Sequence, residues 1–261
     1  MKNRGLVIAG ISVLVLPVLC FLLLRRCTPL PAAPTPSPET ETRGSPSPAP
    51  APLNSAAVKG GVREDGSFSE GVLFIGDSLT YGLVQNYLIP AELIGDASYI
   101  AVSGMPLTLF FSDDMRLGTA YSNESGCVYS EPFYKLNYAD SAALAGSGVS
   151  DIYFMLGSNL SEQSTEELYV EVMDYLLEVC PNAVIHLQTV PLSTSTTVNY
   201  RMANENIRAA AQHYVDCGEP RVELLDSNLI WDESCLTAGG IHLISKGFEL
   251  WYQLIVDTAA K

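Results

Sequence analysis

The stretch Val72 to Thr80, VLFIGDSLT, decides the fold, because an apolar run stops at a glycine and a serine stands where a helix would begin. A short apolar run of this kind predicts a buried strand. A serine at a strand-to-helix junction suits nucleophilic chemistry, since the N–H groups of the first helical turn are unpaired and can stabilise negative charge. Ser78 is therefore a candidate nucleophile.

A histidine near the C-terminus, in Gly240-Ile241-His242-Leu243, is the candidate base. The chain has three histidines. His186 lies in a predicted strand and His213 in a predicted amphipathic helix, so we expect core or surface roles for these two. Ser78 and His242 together predict an enzyme that transfers acyl groups.

The first 27 residues contain the almost wholly apolar run Leu6 to Leu24, flanked by basic residues at both ends. Its length is close to the roughly 20 residues that cross a bilayer. Residues 1–27 are therefore predicted to be a cytoplasmic N-terminus and an uncleaved transmembrane signal anchor. A late cleavage after Pro31-Ala32-Ala33 is the alternative.

Residues 28–54 are dense in Pro, Ala, Ser and Thr, a composition that buries no core and favours extended conformations. We interpret them as a disordered spacer that holds residues 55–261 away from the bilayer, with a tolerated disordered tail as the alternative. The predicted location is a single-pass cell-membrane protein whose C-terminal domain is extracytoplasmic.

Residues 55–261 are long enough for one core and strongly acidic. They hold 9 Lys or Arg against 27 Asp or Glu, a net charge of −18. Such a surface repels nucleic acid and anionic headgroups, so we expect a neutral or cationic partner or a glycan.

Four cysteines fall in this domain: Cys127, Cys180, Cys217 and Cys235. Four cysteines allow three disulfide connectivities, and buried free thiols are the alternative. A Cys217–Cys235 disulfide would close a short loop before His242. No Cys/His cluster has metal-ligand spacing, so neither a metal nor another cofactor is expected.

Strand-like and helix-like stretches alternate along the domain. The predicted strands are Val72–Ile75, Ser98–Val102, Ile152–Leu156, Ala183–Val190 and Val222–Leu225. The predicted helices are Leu79–Tyr87, Thr165–Val179, Val198–Val215 and Lys246–Thr258. This alternation predicts an α/β fold, a three-layer α/β/α sandwich with a mainly parallel five-stranded sheet.

Four short blocks resemble those of the SGNH, or GDSL, hydrolases, in the same order. They are Gly76-Asp77-Ser78-Leu79, Gly104 after the second strand, Gly157-Ser158-Asn159 after the third, and Gly240-Ile241-His242. The resemblance implies that Ser78 attacks an ester carbonyl while His242 removes its proton. It also implies an oxyanion hole made by the N–H groups of Ser78 and Gly104 and the side-chain amide of Asn159. Asp77 is expected to fix the loop.

The chain departs from the family pattern at two positions. Leu160 replaces an aspartate after the third block, and Gly239 stands where the family has the aspartate that orients the histidine. Three outcomes stay open for the second departure. A backbone carbonyl orients His242 in a Ser-His dyad, Asp232 or Glu233 substitutes for the missing carboxylate, or the protein is a weak or silent enzyme.

These inferences predict a serine esterase that removes short acyl groups, above all acetyl, from O-acylated carbohydrate outside the membrane. The alternatives are a catalytically silent glycan-binding module with the same fold, and a lipase or thioesterase. An aromatic-rich stretch after Gly104 is either a lid, a sugar-stacking wall or simple packing. Its residues are Phe110, Phe111, Tyr121, Tyr129, Phe133 and Tyr134.

Overall fold

A computed structural model describes residues 61–115, 128–129, 136–191, 193–194 and 200–259. The predicted anchor, residues 1–27, and the predicted spacer, residues 28–54, lie outside the described residues. Within the described ranges, no helix has both the length and the apolar character that a membrane span requires.

One sheet forms the centre of the fold. Its strands are β1 Val72–Gly76, β2 Ser98–Ala101, β3 Val128–Tyr129, β4 Asp151–Met155, β5 Val184–Gln188 and β6 Val222–Leu225. Their order across the sheet is β3-β2-β1-β4-β5-β6. All neighbours are parallel except β2 and β3, which pair antiparallel. The five predicted strands are confirmed, and the two-residue edge strand β3 was not predicted.

Five α-helices accompany the sheet in the described part of the chain. They are α1 Ser78–Leu83, α2 Tyr138–Ala145, α3 Glu166–Val179, α4 Tyr200–Cys217 and α5 Ser245–Ala259. A π-helical turn, Val84–Leu88, continues α1. Four of the helices match the predicted ones, with shifted ends, and α2 was not predicted.

Alternate residues of each strand face opposite sides of the sheet, and each side has its own core. Leu73 and Ile75 pack with residues of α2, α3 and α4. Val72 and Phe74 pack with residues of α1 and α5. Helices therefore cover both faces, which confirms the predicted three-layer sandwich.

The sheet order sets the position of the site. Strand β1 lies between β2 and β4. After β1 the chain forms β2 on one side of it and later forms β4 on the other side, so the strand order reverses at β1. Ligands of open parallel sheets bind beyond the carboxyl ends of strands at such a switch in order. Ser78, Gly104 and Asn159 follow the ends of β1, β2 and β4 in turn.

Gly76 is required where β1 ends. A Cβ built on this residue would lie 1.9 Å from Thr80 Oγ1 and 2.7 Å from the Met155 carbonyl oxygen. No side chain fits between the end of β1, the first turn of α1 and β4. The glycine therefore allows the helix that carries Ser78 to begin immediately after the strand.

The Cys217–Cys235 pairing, one of the connectivities that the sequence leaves open, does not form. Cys217 is disulfide-bonded, whereas Cys235 is a buried free thiol, as is Cys180. Cys235 is fully buried in the core that includes residues of α1 and α5, and its carbonyl accepts from the Ile244 N–H at 2.8 Å. Its thiol therefore serves as a small core side chain at this position.

The aromatic stretch lies partly outside the described residues, which include Phe110 and Phe111. Phe110 is fully buried against Tyr138 and Phe154, so at this position the packing interpretation holds. Phe111 is partly exposed and its ring meets that of Tyr175.

Candidate active site

Ser78 and His242 meet at the carboxyl edge of the sheet. Ser78 is the first residue of α1, and His242 lies on the loop before α5. Their side chains are joined by a contact of 3.1 Å between His242 Nε2 and Ser78 Oγ. This distance lies within the hydrogen-bond reach that a base needs to remove the serine proton.

A narrow backbone turn holds His242. Leu236 and Leu243 pair as an antiparallel bridge. The Thr237 N–H donates to the His242 carbonyl at 2.7 Å, and the Gly240 N–H closes the turn onto the Thr237 carbonyl at 2.8 Å. Gly240 has φ +67°, a left-handed conformation that glycine adopts at little cost. Hydrogen bonds of the main chain thus fix the histidine's backbone.

Neither candidate carboxylate contacts the imidazole. Asp232 caps its own 3-10 turn, where its Oδ1 accepts from the Ser234 N–H at 2.8 Å and from the Ser234 hydroxyl. These bonds lower the pKa of Asp232, whose carboxylate also lies 3.8 Å from Lys246 Nζ. Glu233 makes no hydrogen bond to His242 in the described ranges. The same residues supply no acceptor for His242 Nδ1, neither a carboxylate nor a backbone carbonyl.

Two backbone N–H groups at this edge are candidates for binding an oxyanion. The N–H of Ser78 lies in the first turn of α1, where no helical acceptor exists. Gly104 follows β2 with φ +80° and is exposed. Within the described ranges, neither N–H has a hydrogen-bond acceptor. Both N–H groups are therefore free to donate to a bound ligand.

The third predicted oxyanion donor, Asn159, is turned toward the protein interior. Its Nδ2 lies 3.2 Å from Asp77 Oδ2, 3.3 Å from the Met105 carbonyl and 3.2 Å from Ser158 Oγ. Two amide hydrogens already face these three oxygens. Donation to an oxyanion would require Asn159 to give up at least one of these contacts.

Asp77 connects the nucleophile turn to the third block. Its carboxylate is fully buried and accepts from the Leu79 N–H at 3.0 Å, from the Ser158 hydroxyl and from Asn159. Burial raises the pKa of Asp77, and these hydrogen bonds partly oppose the rise. The contacts support the expectation that Asp77 fixes the loop. Ser158, which the motif leaves unspecified, is part of the same network.

Tyr138 is a further residue at the site that the sequence did not reveal. Its hydroxyl donates to the Gly76 carbonyl at 2.5 Å and accepts from the Val102 N–H at 2.9 Å. It thereby ties the end of β1 to the end of β2, directly before Ser78 and Gly104. No motif or spacing marks Tyr138, because its partners lie 36 and 62 residues away.

Leu160 occupies a left-handed conformation, with φ +48°, and is 49% exposed. A non-glycine residue rarely adopts this conformation. Leu160 is thus an exposed, strained residue at the position where the family that the four blocks resemble carries an aspartate.

A cleft of about 270 Å³ opens beside the nucleophile. Its walls come from α1, the loop after β2, the histidine loop and the first turn of α5. The lining residues are Ser78, Leu79, Tyr81, Gly82, Asn86, Ser103, Thr237, His242, Leu243 and Phe248. None of them is an aspartate, glutamate, lysine or arginine.

The other two histidines lie away from this edge. His186 is buried on β5, where its Nε2 lies 3.2 Å from Asp151 Oδ1 and its ring stacks on Tyr153. His213 lies on α4, 3.7 Å from Cys217 Sγ. In the part of the chain that the structure describes, no three His, Cys, Asp or Glu side chains are grouped to hold a metal ion.

Neither a family model nor a curated protein matches this sequence. Solved structures do match, at low identity. A candidate SGNH hydrolase from Slackia heliotrinireducens is 15% identical, covering 72% of this chain and 97% of that one at a TM-score of 0.48. A family 3 carbohydrate esterase from Clostridium thermocellum is 14% identical over 72% and 96%, with a TM-score of 0.46.

A third match is a GDSL-like lipase from Bacteroides thetaiotaomicron, 14% identical over 73% of this chain and 88% of that one at a TM-score of 0.44. In its four sequence blocks and in its fold, the chain is similar to the SGNH, or GDSL, hydrolases.

Proposed function

We propose that the chain is a serine esterase that hydrolyses short acyl esters, with Ser78 as nucleophile and His242 as base. The observation that carries the proposal is the 3.1 Å contact between His242 Nε2 and Ser78 Oγ. It lies beside the open N–H groups of Ser78 and Gly104, so a base, a nucleophile and two oxyanion donors share one edge of the sheet.

The reaction has two steps. His242 Nε2 takes the Ser78 proton as Oγ bonds to the ester carbonyl carbon. The carbonyl oxygen then carries negative charge, which the two N–H groups stabilise. The imidazolium returns the proton to the leaving alcohol oxygen as the ester bond breaks. Water then attacks the acyl-enzyme carbonyl as His242 takes its proton. The imidazolium returns that proton to Ser78 Oγ as the acyl–Oγ bond breaks, which releases the carboxylic acid and free Ser78.

His242 acts in this proposal as one half of a dyad. The turn from Leu236 to Leu243 positions its backbone, but within the described ranges nothing accepts a hydrogen bond from Nδ1. In triad enzymes a carboxylate at that nitrogen selects the reactive tautomer and stabilises the imidazolium. We therefore expect turnover well below that of a complete triad.

The proposed substrate is a short acyl ester of a neutral carbohydrate. The acidic surface, with a net charge of −18 over residues 55–261, disfavours anionic partners. The sequence pattern of residues 1–54 supports an anchor and a spacer, and with them a position outside the membrane where glycans are accessible.

A silent glycan-binding module is the second candidate function. It is favoured by Gly239 together with the lack of an acceptor for His242 Nδ1 in the described residues. Such a protein would keep the cleft and bind acylated glycan without turnover.

Hydrolysis of p-nitrophenyl acetate by the purified full-length chain, beside Ser78→Ala, tests the enzyme proposal. We expect the wild type to release p-nitrophenol above background and Ser78→Ala to lose that release. If wild type and Ser78→Ala are equal, Ser78 is not the nucleophile and the binding-module candidate is favoured.

A further inference from the structure

We infer that the cleft beside Ser78 is a subsite for the leaving alcohol and that it selects a neutral polyol, a sugar unit bearing the acyl group. The inference rests on the proposed esterase function and adds residues that determine its specificity. They are Gly82, Asn86, Ser103 and Thr237, none of which belongs to the four sequence blocks.

The residues that line the cleft indicate that it holds the leaving alcohol of the ester and not its acyl group. The ester carbonyl oxygen must face the two proposed oxyanion donors, and of these Ser78 lines the cleft whereas Gly104 does not. Ser78 and His242 both line it. Because His242 Nε2 must protonate the departing oxygen, the group attached to that oxygen lies on the imidazole side of Ser78. The cleft occupies that side.

One face of the first helix forms the first wall. Ser78, Gly82 and Asn86 are four residues apart, so they follow one another along the helix surface. A Cβ on Gly82 would lie 2.8 Å from Phe248 Cζ and 3.8 Å from Asn86 Nδ2. The Phe248 ring therefore packs directly against the helix at Gly82, and both residues line the cleft. Asn86 itself lies in the π-helical turn, a feature often found at functional sites.

The chemistry of the lining matches a sugar. Leu79, Leu243 and Phe248 are buried and give the cleft an apolar floor. Asn86, Ser103 and Thr237 add an amide and two hydroxyls, groups that hydrogen-bond to hydroxyls without carrying charge. An apolar surface with a few polar groups is typical of small-molecule sites. Because no Asp, Glu, Lys or Arg side chain lines the cleft, a neutral polyol fits better than a phosphorylated or carboxylated alcohol.

The test compares two acetate esters that differ only in the alcohol, an O-acetylated monosaccharide and ethyl acetate, with the full-length chain. Loss of one neutral hydrogen bond should lower kcat/KM for the sugar ester about 2- to 10-fold in Asn86→Ala and in Thr237→Val. The loss on ethyl acetate should be smaller. The matched control is Asn182→Ala, which removes an exposed asparagine just before β5, at the end of the strand away from the cleft. It should leave kcat/KM for both esters unchanged.

Gly82→Ala would displace the Phe248 ring, which lines the cleft, and should reduce activity on the sugar ester more than on ethyl acetate, with circular dichroism confirming that the variant is folded. Equal losses on both esters in every folded variant would overturn the subsite. A change in preference along a series of acyl lengths, at constant alcohol, would also overturn it, because the cleft would then hold the acyl chain.

Failure of the inference is distinguishable from failure of the proposed function. If no ester is turned over at all, the esterase proposal fails, and binding of the free monosaccharide by ligand-observed NMR becomes the readout. Binding that weakens in Asn86→Ala but not in Asn182→Ala supports the subsite. Binding that is absent from the wild type, or equal in both variants, overturns it.

Discussion

Substitution of Gly239 by aspartate should increase the rate of ester hydrolysis. Gly239 is exposed and has an ordinary backbone conformation. A Cβ built on it would meet only Thr237 Oγ1, at 3.9 Å, which is normal van der Waals contact. The loop can thus accept a side chain without rearranging. It would place a carboxylate three residues before His242, where the family that the four blocks resemble carries one.

The size of the gain follows from the hydrogen bond that the variant adds. A hydrogen bond involving a charged group contributes about 1.5 to 3 kcal/mol, and 1.36 kcal/mol corresponds to a tenfold change in rate. If the bond to Nδ1–H forms in the transition state, kcat should rise about 10- to 150-fold. The upper limit is about 10⁴-fold, the loss seen when a triad carboxylate is neutralised.

The assay is the steady-state hydrolysis of p-nitrophenyl acetate by the full-length chain, with kcat and KM measured separately. Gly239→Asn is the matched control, since it adds the same volume without the charge, and it should gain much less. Ser78→Ala in the Gly239→Asp background should abolish the gain. A folded Gly239→Asp protein with unchanged kcat would refute the reasoning, because orientation of His242 would then not limit the rate.

Three further predictions concern the rest of the domain. Burial raises the folded-state pKa of Asp77 above its ordinary 3.8, so the folded state binds more protons and stability falls as pH rises from 3.8 through the raised value. Asp77→Asn should reduce this loss of stability, measured as the free energy of unfolding in urea from pH 4 to 8. An unchanged pH dependence would contradict a raised pKa of Asp77. Burial also acts to raise the pKa of Asp226, but bonds from Arg208 at 2.8 and 2.9 Å outweigh it and lower the pKa. The stability that the ion pair contributes is present above pH 3.8 and lost as pH falls through the lowered pKa of Asp226. Arg208→Ala should therefore lower the free energy of unfolding by about 1 kcal/mol at pH 7 and by less at pH 3 in the same assay. An equal loss at both pH values would count against this ion pair. Burial raises the pKa of Cys180 to about 11, so its thiol should resist iodoacetamide at pH 8 until the protein unfolds. Mass spectrometry of the modified peptide measures the extent of labelling. Rapid labelling of the native protein would contradict this prediction.

Much of the fold could be predicted from local sequence pattern. The five parallel strands are short apolar runs between helix-like stretches, and a buried parallel strand needs only such a run. β3 has two residues and α2 lies beyond the aromatic stretch, so neither carries a periodic pattern long enough to detect. Their formation depends on pairing with β2 and packing on the sheet.

The candidate site could be predicted only in part. The motif spacing placed Ser78 and His242 at the same edge, and the structure brings them to hydrogen-bond distance. The orientation of Asn159 and the engagement of Asp232 with Ser234 depend on competition among nearby partners, which sequence spacing does not describe. The cysteine pairing could not be predicted for a related reason, because a short separation along the chain, as between Cys217 and Cys235, does not bring two side chains together.

The most direct test of the proposed mechanism is labelling of the full-length chain with a fluorophosphonate probe, followed by mass spectrometry of the modified peptide. Such probes react with serines that a neighbouring base activates. We predict one adduct on Ser78, strongly reduced in His242→Ala and absent in Ser78→Ala. A folded wild-type protein that acquires no adduct, or acquires it at another residue, would contradict the assignment of Ser78 and His242 as a catalytic pair.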